Sequence, residues 1–326
     1  MSNSNKEIDI QDTFSQATFA EMSKPEKKLT PGKPRLTRGY LVVGLGFCPM
    51  LLLLAFQLMP LIQQHVIHPH KENILEATRW GTVRNVQFHL ENGADINEKD
   101  EYSRTLLHQA ATFNKNVEVA KFLVSQGMDI HAQDKFGYTP LHKVKSVGVA
   151  EFLVAEGADV HAKTDRGCTP LHSAANFCEN VEVAKFLVSQ GADVNAKDNW
   201  DRTPLHEAGM NIEVLKFLVS QGADVHAIDR GGGTPLKRAA GFNRNVEFAG
   251  FLISKGADVK AEDRWGKTPL HMAAMYNRNV NVAKFLVSQG ADVNAKDEDG
   301  RTPFDAAKEK ENTAMVEYLS GITNGD

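Results

Sequence analysis

Residues 169–202 read TPLHSAANFCENVEVAKFLVSQGADVNAKDNWDR, and this stretch decides the fold because it keeps returning. Thr-Pro-Leu-His also stands at 139–142, 203–206 and 268–271, with variants at 105–108 (Thr-Leu-Leu-His), 234–237 (Thr-Pro-Leu-Lys) and 302–305 (Thr-Pro-Phe-Asp). Successive threonines lie 34, 30, 34, 31, 34 and 34 residues apart. A second block, Ala-Lys-Phe-Leu-Val-Ser-Gln-Gly, recurs at 120–127, 184–191 and 283–290, and a Gly-Ala-Asp-Val-like segment follows it. A period of this size marks a stack of small supersecondary units, none of which buries its apolar face alone.

One unit can be read from its residues. Thr139, Thr169, Thr203 and Thr268 are helix N-caps, and a proline such as Pro140 suits the first turn, where its missing N–H has no helical partner. Leu and the following Ala pair let neighbouring helices approach. A second helix starts at Asn116, Asn180, Asn211, Asn245 or Asn279 and carries mostly apolar residues, as a helix buried between neighbours requires. Gly127, Gly157, Gly191, Gly222, Gly256 and Gly290 supply the left-handed turn that ends it.

The pattern resembles the ankyrin repeat, with its unit of about 33 residues and Thr-Pro-Leu-His-x-Ala start. The resemblance covers residues 72–324 and implies an all-α solenoid of helix-turn-helix units joined by short hairpin loops. It divides into units one to eight, at 72–104, 105–138, 139–168, 169–202, 203–233, 234–267, 268–301 and 302–323. Unit one lacks the Thr-Pro start and unit eight lacks the Gly-Ala-Asp ending, so both read as caps. The resemblance implies that His108, His142, His172, His206 and His271 are hydrogen-bonding packing residues and that the loop tips contribute to partner binding. The nearly verbatim repetition is similar to arrays found in bacteria.

Departures from the pattern carry the rest. In the 34-residue units an aromatic stands eight residues after Thr, at Phe113, Phe177, Phe242 and Tyr276. It reads as a packing ladder or, alternatively, a ligand-facing stripe. Units three and five are shorter by four and three residues after His142 and His206. That removes about one helical turn together with the aromatic, and predicts surface notches. Three residues before each Thr, at the tips, stand Tyr102, Phe136, Arg166, Trp200, Gly231, Trp265 and Asp299. Aromatic and arginine side chains there are candidate interface anchors. Trp200 and Trp265, with Gly231 between them, predict two indoles flanking a shallow gap.

Ahead of the repeats, residues 1–38 are polar, with seven Lys/Arg and five Asp/Glu, and read as a disordered, basic, cytoplasmic tail with room for a short helix over 8–22. Residues 39–62 are expected to form one transmembrane helix, since 40–62 carry no charge. Residues 63–71 form a linker, and its His65, His68 and His70 read as solvated rather than metal-binding. Six cations precede the span (Lys24, Lys27, Lys28, Lys33, Arg35, Arg38), and Lys71, Arg79 and Arg84 follow it. This asymmetry places the repeats on the non-cytoplasmic side, the periplasm in a bacterium; cytoplasmic repeats are the alternative.

Composition narrows the function. The 326 residues are 42% hydrophobic, 24% charged and 8% aromatic, with net charge −4, so no bulk positive charge invites nucleic acid. The cysteines Cys48, Cys168 and Cys178 form no metal or disulfide framework. No catalytic or nucleotide-binding motif occurs; Gly231-Gly232-Gly233 sits in a loop register, and Glu179 beside Cys178 disfavours a thiolate. The expectation is a membrane-anchored scaffold, not an enzyme, that binds a protein partner through loop tips and first-helix faces. It needs no cofactor, metal or small-molecule substrate. A spacer without a specific ligand, or an anchored enzyme, are the alternatives.

Overall fold

The computed structural model describes residues 73–177, 181–209 and 211–323. The expectations for 1–38, 39–62 and 63–71, like those for Cys178 and Asn180 and for the side chain of Phe177, lie outside the described residues. Among the described residues no helix is long and apolar enough to cross a membrane, and none is a strand.

Each unit is a helix pair. Unit one holds α1 (Ile74–Trp80) and α2 (Val83–Glu91); unit two, α3 (Leu106–Phe113) and α4 (Val117–Ser125). Unit three has a four-residue 3-10 helix (Pro140–Lys143) and α5 (Val147–Ala155); unit four, α6 (Pro170–Phe177) and α7 (Val181–Ser189). Unit five has α8 (Pro204–Glu207) and α9 (Ile212–Ser220); unit six, α10 (Pro235–Phe242) and α11 (Val246–Ser254). Unit seven has α12 (Pro269–Tyr276) and α13 (Val280–Ser288), and unit eight α14 (Pro303–Glu309) and α15 (Thr313–Thr323). First helices pack on first helices, as α10 on α12 and α12 on α14, and second on second, as α11 on α13.

Chain chemistry explains the boundaries. Asn116, Asn211, Asn245 and Asn279 each accept the backbone N–H two residues on, capping α4, α9, α11 and α13. Gly127, Gly191 and Gly290 end α4, α7 and α13 at φ of 88°, 90° and 91°, a region that penalises any Cβ. One core runs through the stack, built from the same positions in each unit: Leu107, Ala110 and Leu123 in unit two, Leu171, Ala174 and Leu187 in unit four, and Leu270, Ala273 and Leu286 in unit seven. Each such leucine contributes roughly 2 kcal/mol by leaving water.

The short units differ as their lengths require. Unit three replaces an eight-residue first helix with the 3-10 turn, and unit five keeps four residues of helix. The long units also carry a linkage that the sequence reading did not single out. Asn114, after the ladder aromatic, donates from Nδ2 to Thr78 and Gly81 carbonyls at 2.9 Å. Asn277 does the same to Ala240 and Asn243 at 2.8 and 2.7 Å. These buried amides tie the end of one first helix to the next.

Candidate protein-binding surface

An aspartate five residues before each threonine shapes the loop tips. Asp198 Oδ1 accepts the N–H of Trp200 at 2.8 Å and of Arg202 at 2.9 Å. Asp100, Asp134, Asp229, Asp263 and Asp297 close their loops the same way. In unit three Thr164 takes that position and accepts Cys168 N–H at 3.1 Å. The carbonyl of each tip residue then accepts the N–H of the residue preceding the next tip. Tyr102, Phe136, Arg166, Trp200, Gly231 and Trp265 accept from Lys135, Asp165, Asn199, Arg230, Arg264 and Glu298 at 2.9–3.1 Å. Tip backbones are therefore locked to one another while their side chains stay outside.

The histidines tie the same units from within. Nδ1 of His142 accepts Thr139 N–H at 3.1 Å, and Nε2 stands 3.0 Å from the Cys168 carbonyl of its own unit's closing residue, beside the next cap. A carbonyl only accepts, so Nε2 carries the proton. His108, His172, His206 and His271 repeat the arrangement with Tyr138, Arg202, Gly233 and Arg301 carbonyls at 2.8–3.1 Å. Burial lowers the pKa of all five, to about 4 for His142, against the opposing pull of the carbonyl bond. They are neutral structural groups at pH 7. Burial, then nearby Asp198, raises the Cys168 pKa, which leaves it a poor nucleophile.

The tip side chains fall into separate groups. Tyr102 and Phe136 lean together with ring centres 6.4 Å apart, and Lys135 Nζ lies 4.0 Å over Tyr102. Asp299 pairs with Arg301. Trp200 and Trp265 remain 43% and 52% exposed, each carrying arginines on its face: Arg202 at 5.1 Å and Arg166 at 5.7 Å over Trp200, Arg264 at 5.6 Å over Trp265. Between them Gly231 presents no side chain, and a Cβ there would stand 3.4 Å from Trp265 Cζ3.

This gap is a cavity of about 600 Å³, lined by Arg166, Trp200, Gly231 and Trp265 and reaching Arg238, Phe242 and Met272 on the first-helix face. The volume suits several side chains of a partner. Arg166, Trp200 and Trp265 are thus brought together, while Tyr102, Phe136 and Asp299 lie elsewhere. Beside the cavity, Phe242 and Tyr276 stack at 5.3 Å with 20° between planes. Trp80 and Phe113 form a second, tilted pair at 5.3 Å, so the aromatic ladder is both packed and partly exposed.

Sequence reasoning overlooked the floor. Lys237 replaces histidine in unit six and is 2% exposed. Its Nζ donates to Gly232 O at 3.2 Å, and its nearest carboxylate, Asp263, is 4.0 Å away. Burial lowers its pKa to about 8, partly offset by Asp263 and Asp229. Arg202 Nη1 stands 2.8 Å from Glu207 Oε1, close enough for an ion pair but off the line of a hydrogen bond. Arg238 reaches the other Glu207 oxygen at 3.2 Å. The signal that would have revealed Lys237 was the break in Thr-Pro-Leu-His at 234–237.

The family model for "Ankyrin repeats (3 copies)" matches residues 74–164, 143–229, 197–263 and 236–325. The chain belongs to the ankyrin-repeat family. It is 37% identical over 65 residues to an ankyrin-repeat protein of Rickettsia bellii (strain RML369-C), covering 20% of this chain and 66% of that one. It is 35% identical over 82 residues to a fowlpox virus (strain NVSL) ankyrin-repeat protein, covering 25% and 14%. A third match is 48% identical over 54 residues to BTB/POZ domain-containing protein 1 of Schizosaccharomyces pombe (strain 972 / ATCC 24843), covering 16% and 4%. The chain therefore spans less than two thirds of each of these relatives.

Proposed function

We propose that this chain is a membrane-anchored scaffold that captures a partner protein between the tips of Trp200 and Trp265 and along the neighbouring first-helix faces. Ankyrin repeats generally mediate protein–protein interaction, and the carrying observation is the cavity between two exposed indoles on backbones locked tip to tip. A pre-set spacing lets several tips engage at little ordering cost. The deciding comparison is crosslinking and pull-down from membranes with wild type and with Trp200→Ala/Trp265→Ala, alongside unfolding temperature and dissociation constant. We expect an unchanged unfolding temperature and binding at least tenfold weaker. Preserved affinity with lowered stability would refute the site.

Anchoring rests on the charge-free run 40–62, and the orientation on the cations before it. In this reading the repeats lie on the non-cytoplasmic side. Protease added to sealed right-side-out vesicles should digest them; digestion only after permeabilisation would reverse the orientation.

A further inference from the structure

We infer that the cavity between Trp200 and Trp265 receives an acidic peptide segment of the partner, with one carboxylate seated against the ammonium of Lys237. This rests on the scaffold reading and adds the partner's chemistry to it.

The charge around the cavity is lopsided. Six cationic side chains line it (Arg166, Arg202, Arg230, Lys237, Arg238, Arg264) against two carboxylates, Asp229 and Asp263. Both carboxylates already hold their loops: Asp229 accepts Gly231 and Gly233 N–H at 2.8 and 2.7 Å, and Asp263 accepts Trp265 and Lys267 N–H at 3.0 and 2.9 Å. Asp198 and Glu207 hold Arg202, Glu207 also reaches Arg238, and Asp201 lies 3.2 Å from Arg230, so the uncompensated charge sits on Arg166, Arg264 and Lys237. Arg166 and Arg264 meet no carboxylate among the described residues and lie over the two tryptophans instead. The whole chain carries net charge −4, so this positive field is local.

Lys237 gives the field a focus. An ammonium has three donors, and the structure engages one, at Gly232 O. Asp263, the nearest carboxylate, stands 4.0 Å away with Asp229, Glu262 and Asp258 farther off, so the buried ammonium keeps two N–H donors without a hydrogen-bond acceptor among the described residues. A carboxylate entering from the cavity would complete its shell. The surroundings specify more than an anion, because Trp200, Trp265 and Phe242 add apolar surface to the cavity lining. A peptide alternating acidic and apolar residues satisfies both.

The test uses the full chain in detergent and fluorescein-labelled peptides read by anisotropy. One peptide is Leu-Glu-Leu-Glu-Leu, blocked at its C-terminus; the other has Gln in place of Glu. We expect the Glu peptide to bind at least tenfold more tightly than the Gln peptide. The preference should shrink in 0.5 M salt and fall at least tenfold in Lys237→His, the residue that five other units carry there. Equal affinity for the two peptides on wild type overturns the inference whatever the variant does. So does an unchanged preference in Lys237→His, or inorganic phosphate competing as well as the peptide, which would make this a simple anion site. If Trp200→Ala/Trp265→Ala loses a partner that the Glu peptide neither binds in place of nor displaces, the acidic inference fails and the scaffold stands. If that double variant keeps the partner, the scaffold reading fails instead.

Discussion

Lys237 stands where five other units place a histidine that bonds a closing carbonyl, and it makes no such bond. Its replacement by histidine should restore the link to the Lys267 carbonyl and remove a desolvated ammonium. We expect the urea midpoint of Lys237→His to rise, by on the order of 2 kcal/mol in unfolding free energy. The pH dependence gives a second signature. Between about pH 8 and the ordinary lysine value near 10.5, the folded chain has released this proton and the unfolded chain keeps it. The unfolded state binds more protons there, so stability contributed by this group rises with pH. Asp263, Asp229, Glu262 and Asp258 all act on the ammonium and oppose the effect of burial. The wild-type minus variant difference should therefore shrink between pH 8 and 10.5, and a constant difference would contradict the assignment. The lysine was in plain view in the sequence. Its burial was not, because position alone does not say whether a long side chain lies under a tip or over it.

At the scale of elements, the tip loops depend on their aspartates more than on their display residues. Asp198→Ala strands the N–H groups of Trp200 and Arg202 and leaves the Arg202 guanidinium without the oxygen 2.7 Å away. We expect a loss of about 2–4 kcal/mol in urea unfolding. Asp299→Ala removes an exposed side chain and should change stability by less than about 0.5 kcal/mol. Equal losses would mean that the turn is held by something else. Helix lengths were legible, since the threonine spacings gave the two short units and the missing turn. The tip-to-tip carbonyl links were not, because backbone groups carry no residue-specific mark and appear only when two units are placed side by side.

Across the whole molecule, five buried neutral histidines make the array sensitive to acid. Below about pH 6.5 the unfolded chain takes up protons that the folded sites refuse, down to about 4 for His142. The unfolded state binds more protons in that window, so stability falls as pH falls. Each site as shifted as His142 contributes up to about 1.4 kcal/mol per pH unit. The thermal midpoint should drop steeply between pH 7 and pH 5, and a flat profile would refute the assignment of neutral histidines. The repeat period made this series visible at once. The cavity was foreshadowed by Trp200, Gly231 and Trp265, yet its floor joins residues from units four to seven whose proximity depends on how far each unit rotates from the last.

The tip links also make part of the array removable. The stretches 184–198 and 283–297 are identical in all fifteen residues and lie 99 residues apart. An in-frame exchange between them excises one cassette: it joins α7 to α13 behind an intact α6, keeps a 34-residue period, and brings Glu298 to the Arg166 carbonyl in place of Asn199. The cassette carries Trp200, Gly231, Lys237 and Trp265 together. The shortened chain should fold cooperatively and bind nothing at this site. A lineage could therefore discard the recognition function in one recombination event and keep a sound scaffold.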